Sequence, residues 1–277
     1  MKKKIFILLN DYTKLNPVIT YGVNLAKGLE SPAILLAIAK LKSPATPATV
    51  VGGGLPYPNL DFNSLKEKAI LHLRKLYLEV QHIWRNVYCD VAIGVSQTKV
   101  ISMMDEKDPF LLVIEGRSDL TTLNEWFGTY ETMIAEEADC PVLVVQPQTV
   151  WRPVQKILYM MDMDDTKIDN LQILTTLTES LDAHLQVIIF SDKDISEAEG
   201  TYQEMINVFK NLLGYKEPTF HRIFGDKKAE DVIALVNSIS PDWLAFEQKN
   251  KNFFERVFND YNTKRLILQG EIPALVF

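Results

Sequence analysis

The chain has 277 residues, 47% hydrophobic and 23% charged, with a formal net charge of −7. Its length suits about two globular domains, and its acidic balance repels a phosphate backbone, which speaks against a nucleic-acid-binding surface. No run approaches the roughly 18–20 apolar residues that span a bilayer, so no membrane partner is expected and the chain reads as soluble and cytoplasmic.

The opening MKKKIFILLNDY imitates a secretory leader, but Asn10 and Asp11 end its apolar stretch after Leu9, which suits a buried strand over 4–9. Asn16 and Pro17 then open a helix, Asn as its cap and Pro in its first turn. Its apolar face is Val18, Ile19, Gly22, Leu25, Ala26 and Leu29. A second strand is predicted over 33–39. The loop 43–62 follows, rich in Pro, Gly and Thr, and its three glycines at 52–54 read as a flexible turn rather than a phosphate grip. A helix is predicted over 64–85, a strand over 88–95, a helix over 98–105, a strand over 109–115, a helix over 129–138 and a last strand over 141–146.

Residues 147–155, with two prolines, read as a linker, and then the pattern restarts. KILYMMDMDDTKIDNLQILTTL mirrors KKIFILLNDYTKLNPVITYGVNL, placing Ile157 on Ile5, 152 positions apart. At the other end GEIPALVF mirrors ADCPVLVV, placing Pro273 on Pro141, 132 positions apart; the shortfall matches the length of the 43–62 loop. The chain is therefore a tandem repeat, with units at 1–147 and 156–277 joined by 148–155. Strand–helix alternation with near-continuous apolar strands implies two doubly wound, parallel α/β sheets covered on both faces, with any ligand crevice at the carboxyl ends of the strands.

Chemistry-bearing clusters are sparse. Cys89 and Cys140 lack a CxxC spacing and read as free thiols. His72, His82, His184 and His221 show no metal-ligand spacing. Asp164 and Asp165 are read as the start of a helix whose face is Ile168, Leu171, Leu174, Leu177 and Leu181, and 196–204 as a solvated helix start. No nucleophile–base or acid–base pair stands out, so no catalytic and no metal-binding residue is assigned.

The unit resembles that of the universal stress protein family, twice and over nearly the whole chain. The resemblance is carried by first strands that end on an acidic residue (ILLND, LYMMD), by the loop and helix after the fourth strand, and by the closing CPVLVV. It implies two Rossmann-like five-stranded units of strand order 3-2-1-4-5. Nucleotide-binding members carry Gly-x2-Gly-x9-Gly-Ser/Thr after strand four, an Asp ending strand one and a Gly-Asp after strand three. In the first half that loop reads Glu115-x2-Ser118-x9-Gly128-Thr129, with Asp11 or Asn10 ending strand one and Gly94-Val95 after strand three. In the second half Glu247, Asn250, Asp260 and Tyr261 take the four loop positions, while Asp162 ends strand one and Gly225-Asp226 follows strand three. The resemblance thus gives Asp11, Arg117, Ser118, Gly128 and Thr129 as candidate nucleotide contacts of the first half, and Asp162, Gly225 and Asp226 of the second.

Glycines in such a loop permit positive φ and let backbone N–H groups reach phosphate. The Ser118 hydroxyl replaces one in part. A carboxylate at 115 instead adds like-charge repulsion, about 1 kcal/mol in water at 4 Å. Glu115 and Glu247 share one position and are expected to face solvent, or else to meet a cation or a partner's basic group. Asp260 is expected to cap a helix, and capping explains Thr129 as well as phosphate binding does. Arg117 and Lys249 match across the repeat and read as exposed, or as offsetting anionic charge. The family pairs its units through the closing strand, so 141–146 and 273–277 are expected to lie side by side as an internal pseudo-dimer.

The expected function is a non-catalytic stress-response protein with degenerate nucleotide loops, which requires no cofactor and works through a protein partner or ligand. The alternative is an ATP-binding sensor using the first half, with slow hydrolysis. A third reading, a carrier of an apolar ligand, rests on Tyr57 and Leu60 in the long loop.

Overall fold

The computed structural model describes residues 3–9, 11–40, 62–94, 107–116, 138–162, 167–191, 195–212, 217–224, 228–247 and 272–277. The helices predicted over 98–105 and 129–138 and nearly all of the 43–62 loop lie outside them, as do Asp164, Asp165 and Asp260.

Short apolar runs become strands, and the 3.6-periodic stretches between them become helices. The first half contributes β1 (Ile5–Leu9), α1 (Pro17–Gly28), β2 (Ala33–Lys40), α2 (Phe62–Val80), β3 (Val87–Gly94), β4 (Leu111–Glu115) and β5 (Val142–Val145). The second contributes β6 (Lys156–Asp162), α3 (Ile168–Ser180), β7 (His184–Ser191), α4 (Ile195–Leu212), β8 (Thr219–Phe224), α5 (Lys228–Ile239), β9 (Trp243–Phe246) and β10 (Ala274–Val276).

All ten strands join one sheet in the order β3-β2-β1-β4-β5-β10-β9-β6-β7-β8. Each half is parallel and has the expected 3-2-1-4-5 order. The halves meet where β5 and β10 run antiparallel, pairing Val142 with Val276, Leu143 with Leu275 and Val144 with Ala274. The two closing strands, each an apolar edge of its own unit, thus satisfy one another's backbone groups at the centre of the sheet. This is the internal pairing that the family resemblance implied.

Alternation sends successive side chains to opposite faces. One face carries Ile5, Ile7, Leu143, Val145, Leu275 and Trp243 under α1, α2, α3 and α4, in a single apolar layer that crosses the junction. The other carries Phe6, Leu8, Leu244 and Phe246, with α5 against it.

Helix α1 begins as the sequence indicates. The Asn16 side chain accepts the Ile19 N–H at 2.8 Å, and Pro17 follows it. Gly22 lets α1 lie close on β1, since a Cβ there would stand 2.7 Å from two carbons of Ile7. The predicted face is buried apart from Leu29, which is partly covered, but Tyr21 and Val23 are buried as well. Two expectations need correction. Ile168 does not join the buried face of Leu171, Leu174 and Leu177; it is 59% exposed, because α3 starts at the level of Glu247, beyond the end of β9. Nor is 196–204 wholly solvated. Tyr202 is buried against Phe220, and the Arg222 guanidinium stacks on its ring while pairing with Glu199. Among the described residues no helix is long and apolar enough to cross a membrane.

Candidate functional site

Each half has a topological switch point where its first and fourth strands neighbour one another, β1 with β4 and β6 with β9. In open α/β sheets such a point is where ligands bind, beyond the carboxyl ends of the strands.

In the second half a carboxylate sits in that place. Glu247 follows β9 directly, and its Oε1 accepts the Tyr159 hydroxyl and the Lys167 backbone N–H, both at 3.1 Å. Lys167 is the cap residue of α3 and offers no side-chain cap of its own. A negative group at this helix end is favoured by the free N–H groups and the dipole. Glu247 is therefore half-buried and engaged within the protein, which corrects the expectation that it faces solvent. The strand Asp162 ends pairs with β7, its backbone beside Phe190. Its side chain, together with Gly225, Asp226, Lys249 and Asn250, lies outside the described residues.

The first half is built differently. Ile7 holds the register position that Tyr159 holds in the second, opposite Val113 as Tyr159 is opposite Ala245. No hydroxyl reaches up from that strand position to the residue at 115, and α1 is capped by Asn16 instead. The Asp11 carboxylate turns to its own loop and accepts the Thr13 N–H at 2.9 Å and the Thr13 hydroxyl at 2.6 Å. These bonds hold its carboxyl below the usual carboxylate range. Glu115 closes β4 and is half-buried, and the next N–H, of Gly116, bonds to the Val145 carbonyl. Arg117, Ser118, Gly128 and Thr129 lie outside the described residues. The Gln146 side chain lies over Gly116, where a Cβ would stand 2.7 Å from its Nε2. It is 1% exposed, and its amide finds no hydrogen-bond partner among the described residues.

Elsewhere, His184 bonds to Thr219 and His221 to Gln186, each at 2.9 Å, and burial lowers the His221 pKa. Among the described residues no three metal-ligating side chains gather. Cys89 and Cys140 are not joined in a disulfide.

The junction between the halves carries its own polar and aromatic contacts. Trp243 at the start of β9 donates its indole N–H to the Tyr21 hydroxyl at 2.7 Å, and Trp151 meets the Tyr21 ring edge-on with centroids 4.9 Å apart. The segment 147–155 is packed into the molecule through Thr149 and Val154, both buried. Sequence reading missed Tyr21, Tyr159, Gln146 and Trp243 as a group. The signal available was a polar tip inside an apolar run, as at Tyr159, whose repeat counterpart is Ile7.

The parallels are structural. A universal stress protein from Archaeoglobus fulgidus DSM 4304 superposes with a TM-score of 0.69 at 12% identity, over 99% of this chain and 97% of that one. The chain has the fold of a tandem universal stress protein. A protein from Pseudomonas aeruginosa UCBPP-PA14, provisionally described as a universal stress protein, gives 0.60 at 17% identity, over 100% of this chain and 93% of that one. A protein of unknown function from Pseudomonas aeruginosa PAO1 gives 0.59 at 17% identity, over 100% and 92%. No protein-family model matches the sequence, and no curated protein sequence does. The universal stress protein fold accounts for both crevices and for the antiparallel join of β5 with β10.

Proposed function

We propose that this chain is a tandem universal stress protein that works without catalysis, as a stress-response or regulatory protein whose nucleotide loops have lost their grip on phosphate. Glu247 carries this reading. Its carboxylate lies at the N-terminus of α3 and takes the N–H of Lys167, so a phosphate arriving there would meet an anion where it needs donors. In the first half Glu115 and Ser118 stand in place of two loop glycines, and Asp11 is already bonded to Thr13. No cofactor is required on this reading, and the activity lies in binding a protein partner or ligand.

The second reading, an ATP sensor, is favoured by Gly128 and Thr129, which keep the last part of the phosphate motif, and by Asp11 at the end of the first strand. Calorimetric titration with magnesium-ATP separates the two. Silence at millimolar ATP is expected, and micromolar binding overturns the first reading in favour of the second. The paired replacements Glu115→Gly and Ser118→Gly should restore measurable binding to the first half. Glu247→Ala should lose about 1–3 kcal/mol of stability, as a charge-assisted acceptor is removed from two donors; unchanged unfolding would show that the carboxylate holds nothing in solution.

A further inference from the structure

A cleft of about 180 Å³ opens at the junction, where the carboxyl end of β5 meets the amino ends of β9 and β10. Its walls come from both halves: Tyr21 of α1, Arg152 of the connecting segment, Pro241 and Asp242 before β9, and Ile272 and Pro273 before β10. It lies apart from the Glu247 crevice, which is at the carboxyl end of β9. A dry cavity of about 150 Å³ takes up a molecule the size of benzene, whereas drug-sized ligands need roughly 300 Å³ or more. The cleft is therefore sized for a small metabolite.

Its charges are arranged in an unusual way. Arg152 and Asp242 line the same small space, yet they form no ion pair, and Arg152 pairs with no carboxylate among the described residues. Asp242 is fixed from behind. Its Oδ2 accepts the N–H groups of Gln155 and Lys156 at 2.8 and 2.9 Å, and its Oδ1 has no partner among the described residues. The Tyr21 hydroxyl accepts the Trp243 indole N–H, while its own hydrogen goes to no acceptor among the described residues. Burial, with the nearby Asp242 charge, pushes its pKa up, so that hydrogen stays on the oxygen. The rest of the lining is mixed, with Thr149 adding a polar group and Ile272, Pro241 and Pro273 apolar surface.

A guanidinium and a spare phenolic O–H suit a carboxylate, and a rigidly held carboxylate suits an ammonium group. A lone anion would be repelled by Asp242 and a lone cation by Arg152. We propose that the junction cleft binds a small zwitterion, an α-amino acid with a short apolar side chain, its carboxylate on Arg152 and Tyr21 and its ammonium group on Asp242. Because the walls belong to both halves, such a ligand ties them together and stabilises the tandem arrangement by its binding. The site is independent of whether either crevice holds nucleotide.

The test is calorimetry on the full chain with L-valine, alongside isobutyrate and isopropylamine, which carry the same isopropyl group with only one of the two charges. Saturable binding of one L-valine per chain is expected, with both single-charge analogues weaker by about tenfold or more. Arg152→Gln, a change at an exposed side chain, should weaken L-valine by a similar factor while far-UV circular dichroism stays unchanged. Asp242→Asn, which keeps an acceptor for Gln155 and Lys156, should abolish the preference for L-valine over isobutyrate. Equal binding of isobutyrate and L-valine to the native chain, indifference to Arg152→Gln, or no saturation with L-alanine, L-proline or L-valine at tens of millimolar would each overturn the proposal.

Discussion

The indole nitrogen of Trp243 and the hydroxyl oxygen of Tyr21 lie 2.7 Å apart, in a hydrogen bond that ties helix α1 of one half to strand β9 of the other. Trp243 is 0% exposed and Tyr21 3%, and the indole has a single donor with no other partner to turn to. Tyr21→Phe keeps the ring on Trp151 and strands that donor, so it should cost about 1–3 kcal/mol. Chemical denaturation checks this, and Trp243→Phe should cost less in the Tyr21→Phe background than in the native one. Additive losses would mean that the bond contributes nothing.

The same phenol makes stability depend on alkaline pH. Its pKa in the folded chain lies above the ordinary value of 10.0, chiefly through burial. Its contribution is then complete below about pH 10, where both states are protonated, and is lost as pH rises further because only the unfolded chain ionises. Denaturation between pH 9 and pH 11.5 should show stability falling less steeply for Tyr21→Phe than for the native protein.

The facing pair Leu143 and Leu275 sits in the antiparallel join, both 0% exposed. Leu275→Ala should destabilise the protein by about 2–5 kcal/mol, the usual range for a leucine truncated in a core. Leu275→Asp places a charge between two apolar strands and should expose both as pairing edges. Light scattering on warming should then report aggregation well below the native transition. A fully soluble Leu275→Asp chain with native stability would show that the join is dispensable.

Gly22 offers a test in which two principles oppose one another. Alanine is the better helix former by about 1 kcal/mol, but its Cβ would press into Ile7, where overpacking costs about 1–3 kcal/mol. Gly22→Ala should therefore lower the melting temperature, and Ile7→Val should recover part of the loss. A melting temperature raised by Gly22→Ala alone would mean that α1 and β1 are packed more loosely than described.

Cys89 should react slowly for a thiol near the surface. Partial burial, then the Asp90 charge, push its pKa up to about 11, and its Sγ leans on the Leu73 carbonyl at 3.7 Å. At pH 8 its thiolate is scarcer than that of an ordinary cysteine by about a hundredfold. Peptide mapping after iodoacetamide treatment should show low labelling at residue 89, rising with pH, and faster labelling in Asp90→Asn.

Much of the fold was legible because strand character, cap chemistry and repetition are local or additive along the chain. Asn16 before Pro17 marks a helix start whatever surrounds it, and PVLVV and PALVF mark two strands needing partners. The candidate site was less legible. Glu115 and Glu247 occupy equivalent positions in the sequence, yet only at Glu247 does a tyrosine from the first strand of its half, Tyr159, reach the carboxylate, because the first half has Ile7 in the tyrosine's place.

The sequence by itself determined two tandem α/β units, since alternating apolar runs of these lengths bury their faces in few other ways; the strand order and the pairing of the last strands came from the resemblance to the universal stress protein family. Only the tertiary structure decided that Tyr21 leaves the predicted face of α1 for the other half, that Ile168 stands in solvent, and that Arg152 and Asp242 share a cleft without pairing. Those outcomes depend on which surfaces meet in the folded chain, where residues far apart in the sequence become neighbours and no periodicity within one element records the encounter.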